Sequence, residues 1–233
     1  MSAPAETVSA NLRPTRLSGA LSVALALGAI ASLGADVALS ALVVETLGLG
    51  LLAVGLTVRR SRSRLVGDAL GALGIAVALG GVASLWLDTR DLLVAAQFVP
   101  GMAGAVVLAL GLVPARGRGS RRLVKVGTGL CLLSVLAVGV VRKPALGALL
   151  VAGVATVLAW DVGENAIGLG AQLGRRAETK RVELLHGVAS AAVGAVAVLA
   201  GRTVDGVGTV GLPLGAFALL VIGLVLLAAA LHD

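Results

Sequence analysis

Twelve acidic residues, two histidines and one cysteine supply nearly all the acid–base and nucleophilic chemistry available to this chain of 233 residues. The acid deepest in apolar sequence is Glu45, flanked by Leu42, Val43, Val44, Leu47 and Leu49. An acid at the centre of a membrane helix costs about 2.5–3.5 kcal/mol on insertion scales, and each Leu or Val returns about 0.3–0.6. Such a residue must face protein or water. Its chemistry is that of a proton or cation site, and the plainer alternative is a side chain bonded to the next helix that only sets packing. The second group is Trp160-Asp161-x-Gly163-Glu164-Asn165 with Glu183-Leu184-x-His186. Asp161, Glu164, Asn165 and His186 are the one cluster from which a membrane-embedded enzyme could be built. Asp161 and Glu164 also have the spacing of an N-cap and its reciprocal partner, the structural alternative.

Other polar residues point to structure. Asp68 follows Arg64 at the spacing of a helix ion pair. Gln97 and Pro100-Gly101 interrupt an apolar stretch, which marks a kink or a discontinuous helix. Cys131 has no basic neighbour to activate it and reads as packing volume. Soluble catalytic patterns are absent: no G-x-x-x-x-G-K-[ST], H-E-x-x-H, G-x-S-x-G or C-x-x-C occurs. Gly168-Leu169-Gly170 begins like a dinucleotide loop, but Gly174 falls one position late and no strand precedes it. No cofactor and no metal are expected.

The elements that must position these residues follow from composition. Hydrophobic residues make up 58% of the chain and charged ones 13%, against about 25% charged in an ordinary globular domain. An integral membrane protein results, and disorder, a disulfide scaffold or a soluble enzyme are excluded. A hydrocarbon core of about 30 Å needs about 20 apolar residues. Eight stretches approach that length: 17–35, 37–58, 65–87, 92–114, 123–141, 145–160, 184–200 and 212–231. The first two form one run broken by Asp36, so Gly34-Ala35-Asp36 is read as a tight turn. The sixth and seventh are short, and a re-entrant sixth would leave seven spans. Ala29-Ile30-Ala31 resembles a cleavage site, yet a second apolar segment follows at once, so the first span reads as an anchor.

Basic residues in short loops set orientation. Fifteen of the 19 fall on one side: Arg13 and Arg16; Arg59, Arg60, Arg62 and Arg64; Arg116, Arg118, Arg121, Arg122 and Lys125; Arg175, Arg176, Lys180 and Arg181. The expected fold is an all-α polytopic bundle of about eight spans in the cell membrane, with both termini cytoplasmic. Its parts are a tail (1–16), six spans (17–160), a cytoplasmic amphipathic connection (161–183) and two spans with a short tail (184–233). The basic loops are short and lack aromatics, so anionic headgroups of the bilayer are the expected partner and nucleic acid is not.

The basic clusters recur at roughly 58 residues, the length that any two spans with their loops require, so the period is read as a hairpin length rather than a duplication. Gly67-xxx-Gly71, Gly170-xxx-Gly174 and Ala76-xxx-Gly80 have the spacing of close helix contacts. Residues 161–183 are expected to form a helical arm. Its apolar face (Val162, Ala166, Leu169, Leu173, Ala177) should lie on the bilayer, the bundle or a partner.

The same segment resembles an uncharacterised family of haloarchaeal multi-pass membrane proteins, a family of unknown function. The likeness rests on Trp160-Asp161-x-Gly163-Glu164-Asn165, on Leu169-Gly170-x-Gln172-Leu173-Gly174-Arg175 and on Glu183-Leu184-x-His186. That resemblance implies a helper role beside MoxR-type ATPases and transglutaminase-like membrane proteins, without an activity of its own. The leading expectation is a non-catalytic component of a membrane-associated complex. A small-solute or proton-coupled transporter using Glu45 comes second and a membrane-embedded enzyme third.

Overall fold

The computed structural model describes residues 14–61, 63–89, 91–113, 119–173 and 180–206, and every regular element among them is a helix. The helices are α1 (Arg16–Ser61), α2 (Arg64–Thr89), α3 (Leu92–Leu112), α4 (Arg121–Arg142), α5 (Leu146–Leu173) and α6 (Lys180–Gly206). Seven stretches are long and apolar enough to cross a membrane: Arg16–Gly34 and Ala38–Ser61 within α1, then Arg64–Thr89, Leu92–Leu112, Arg121–Arg142, Leu146–Ala171 and Glu183–Arg202. The expected eighth, 212–231, lies outside the described residues. So do the tail 1–13 and Arg62, Arg116, Arg118, Arg175 and Arg176.

The expected turn at Gly34-Ala35-Asp36 is a sharp bend inside α1. Only Gly34 leaves the helical region there (φ −142°, ψ 20°). Val23 and Leu27 pack against the cluster of Leu49, Leu52, Ala78, Val106 and Ala109. A straight helix would separate Val23 from Leu49 by about 39 Å, so the two halves fold back on one another. Gly34 is required because the Phe98 ring fills the place of its missing Cβ. Asp91 caps α3 by accepting from Leu93 N (2.8 Å), and Ser120 caps α4 by accepting from Leu123 N (3.3 Å). Lys143 ends α4 in the left-handed conformation (φ 48°), directly before Pro144. The helices thus alternate between an end that carries Asp36 and an end that carries Ser61.

Glycine decides how tightly neighbours approach, in a register different from the one expected. A Cβ on Gly55 would stand 2.6 Å from Gly71 N and 2.8 Å from Gly67 O, and Gly48 meets Ala78 N and Gly74 O in the same way. In the next hairpin, Gly111 faces Val124 N and Ser120 O, and Gly104 faces Cys131 N and Gly127 O. Each glycine therefore sits over the amide of one residue and the carbonyl four before it. In both hairpins two such contacts lie seven residues apart. The second half of α1 with α2, and α3 with α4, are one packing unit used twice, which the period of the basic loops alone did not establish. The third hairpin departs from it: Gly194 meets the side chains of Val154 and Leu158, and Gly201 meets Leu150. Of the expected pairs, Gly67 is packed against Arg59 whereas Gly80 faces open space.

Two expected boundaries are corrected. The sixth span does not stop at Trp160, because α5 runs unbroken for 28 residues to Leu173. Residues 161–173 are therefore the continuation of that helix. Val162 and Ala166, from the expected apolar face, are buried in the bundle. Trp160 lies mid-helix and packs on the core, not at a helix end. The seventh span is likewise longer than 184–200, since α6 covers Lys180–Gly206. Pro100 lies inside α3 without interrupting it. Asp68 pairs with Arg59 on α1 (3.1 Å), across the hairpin, instead of with Arg64.

Candidate functional site

The polar residues of the 160–186 text converge near the Ser61 end, where α5 meets α6, α1 and α4. Asp161 does not cap a helix. Its Oδ2 accepts from Ser190 Oγ at 2.7 Å and lies 3.0 Å from His186 Nε2, both on α6. His186 and Ser190 are one turn apart, so a single carboxylate spans both. Glu164 points elsewhere: its Oε2 lies 3.5 Å from Nε of Arg121 at the start of α4. Asn165 stands beside it, with Nδ2 buried and without a hydrogen-bond partner among the described residues. The same holds for Glu164 Oε1, Trp160 Nε1 and Thr15 Oγ1.

The start of α1 is built into this junction. The first amides of a helix have no partner within it, and here two find one on other helices. Thr15 N donates to the Ala166 carbonyl (3.0 Å). Ser18 donates from both its amide (3.0 Å) and its hydroxyl (2.9 Å) to Glu183 Oε2 on α6. An acid at the positive end of a helix is favourable, and Glu183 supplies it from 165 residues away. One turn on, Ser22 donates to the Ala159 carbonyl at 2.5 Å. Glu183, Ser18, Ser22 and Ser190 were not singled out as site residues. Their signals in the sequence are a spacing of three or four residues from each other or from His186 and, for Glu183, its place in Glu183-Leu184-x-His186.

Glu45 is not part of this group. It sits on the second half of α1, where its backbone meets Gly81 of α2, and its side chain is 0% exposed. Neither carboxyl oxygen has a hydrogen-bond partner among the described residues. Of the two expected surroundings, protein or water, Glu45 has protein. Among the described residues the packed helices leave its side chain no accessible surface.

Chemically, the Asp161 junction holds helices together. Among the described residues no three His, Cys, Asp or Glu side chains gather as a metal ion requires. The serine hydroxyl and the histidine both reach the aspartate and not each other, so the three do not form a serine–histidine pair. A structural role predicts graded losses. Asp161→Ala, which strips both partners, is expected to cost about 1–2 kcal/mol, and Asp161→Asn, which keeps one acceptor oxygen, about half as much. Unfolding of the purified protein in detergent measures both. Equal effects from the two substitutions would show that the charge itself is what matters.

Among the described residues, the fold and junction define a polytopic, all-helical membrane protein in which several polar side chains tie one helix to another. Residues 73–228 match a family described as "Family of unknown function (DUF7519)", and the chain belongs to that family. No curated protein and no solved structure matches it.

Proposed function

We propose that this protein is a non-catalytic component of a membrane-associated complex. It would cross the cell membrane eight times, with both termini and the Ser61 end cytoplasmic. The observation that carries this reading is the contrast between α6 and the rest. Among the described residues only 6% of the α6 span is buried, against 22% to 56% in the other spans, although its polar residues are tied to α1 and α5. Leu185, Val188, Val193 and Val196 are left on the outside, as an element presented to neighbours in the bilayer would be. The positive-inside rule orients the bundle, because Arg16, Arg59, Arg60, Arg64, Arg121, Arg122, Lys125 and Arg181 all belong to the Ser61 end. These residues would also meet anionic headgroups. The resemblance of the 160–186 segment makes a MoxR-type ATPase or a transglutaminase-like membrane protein the partner to try first.

Purification from mild detergent should bring down a second polypeptide in fixed ratio. Leu185→Glu and Val193→Glu should abolish that association, while Val126→Glu at an exposed position of α4 should not. A protein that purifies alone from crosslinked membranes overturns the reading. A second reading, a small-solute or proton-coupled carrier, draws on the two unpartnered oxygens of Glu45. Its complete enclosure counts against that.

A further inference from the structure

We propose that the second half of α1 and α2 form one rigid body hung at the Asp36 end, and that Arg142 is the latch that fastens its hinge. The body is rigid because its two helices touch at the level of the backbone. Gly48, Gly55, Gly74 and Gly81 each leave no room for a Cβ. Its contacts with the remainder run through side chains: Leu49, Leu52 and Ala78 meet Val106 and Ala109 of α3, and nearer the hinge Ala38, Ala41, Leu42 and Leu85 join the core around Phe98 and Met102. Side-chain contacts can slide where interlocked backbones cannot.

Chain connectivity places the hinge. The body joins the rest at the bend after Gly34 and again where α2 passes into α3 between Thr89 and Leu92. Both junctions lie at the Asp36 end. At the Ser61 end its two helices are joined only to each other. A body attached at one end turns about that end.

Arg142 grips the hinge in three ways at once. Its guanidinium reaches Asp36 with two nitrogens, Nη2 to Oδ2 at 2.6 Å and Nη1 to Oδ1 at 3.3 Å. Nη1 also donates to the carbonyl of Leu33 at 3.3 Å, on the residue just before the bend. The cation stands 5.8 Å from the centroid of Phe98, the ring lodged against Gly34. Because the Arg142 side chain is 31% exposed and that of Asp36 63%, the grip sits at the surface where water can compete for it. A planar fork that bonds a carboxylate and a carbonyl together cannot be replaced by lysine.

The test uses the full chain in liposomes, with Cys131→Ser and spin labels at Thr57→Cys and Lys125→Cys, at the Ser61 ends of α1 and α4. Thr57 lies 23 residues beyond Gly34, about 35 Å along the helix, so a turn of about 10° moves it about 6 Å. With Arg142 intact the distance distribution should be single and narrow. Arg142→Gln should broaden or shift it by several ångströms, Arg142→Lys nearly as much, and Asp36→Asn less because the Leu33 and Phe98 contacts remain. Leu108→Ala, a core truncation away from the hinge, provides the comparison for general loosening. A distribution unchanged in Arg142→Gln overturns the latch, and so does equal broadening in Leu108→Ala.

Discussion

Alanine at position 74 is expected to destabilise the protein by about 1–3 kcal/mol, whereas alanine at position 80 should stabilise it by up to about 1 kcal/mol. The two glycines lie six residues apart on one helix, and hydropathy does not distinguish them. A methyl group at Gly74 would meet Leu52 N, the Gly48 carbonyl at 2.7 Å and Leu52 Cα at 2.9 Å. Those are backbone atoms, which cannot rotate away, so α1 and α2 must separate along their length. At Gly80 nothing lies within 4 Å, and the substitution only removes the conformational freedom that glycine loses in a helix. Denaturant titration of the two variants in mixed micelles measures the difference. Equal tolerance of both would mean that the hairpin register described above is wrong.

Glu45→Met is expected to raise stability by about 1–3 kcal/mol, a large gain for a substitution in a buried position. A buried polar group without partners forfeits its hydration and receives nothing in exchange. Methionine occupies similar volume and has no such cost. Glu45→Gln should change little, since the amide would lack partners in the same way. The sign of the first result is diagnostic. If Glu45→Met lowers stability, the carboxyl has a partner that the described residues do not contain. If it raises stability but abolishes association or any activity of the complex, the acid is kept for function at the expense of stability.

Much of the membrane architecture is legible in the chain itself. Apolar stretches near 20 residues report spans directly, since lipid leaves the backbone no partner except its own helix. The turn at Gly34-Ala35-Asp36 followed from length alone, because a run of that size cannot cross once. The need for Glu45 to face protein or water followed from the cost of placing an acid in lipid.

At Asp161 the local sequence points the wrong way, for a specific physical reason. Read locally, a Trp-Asp pair after an apolar run looks like a membrane boundary followed by a cap. In the folded chain Asp161 is an internal helix residue whose carboxylate is shared by His186 and Ser190, 25 and 29 positions away. Partners at that distance satisfy the polar side chain from a neighbouring helix, and α5 continues where hydropathy had it end. Glu183 is a parallel case: it reads as a polar end to a connection, but in space it caps the start of α1.

What the sequence determined by itself is what depends on neighbours along the chain: the helical class, the seven described spans, the bend in α1 and the gathering of basic residues at one end. Only the tertiary structure decided which glycines are contacts, that two hairpins share one register, that Arg142 grips Asp36, and that Asp161 and Glu183 bind helices together. Burial in lipid and helix formation are sums over consecutive residues and can be read in order. Close approach, hydrogen bonding and ion pairing require two atoms within about 3 Å of each other, and which atoms those are depends on how each helix is rotated about its axis.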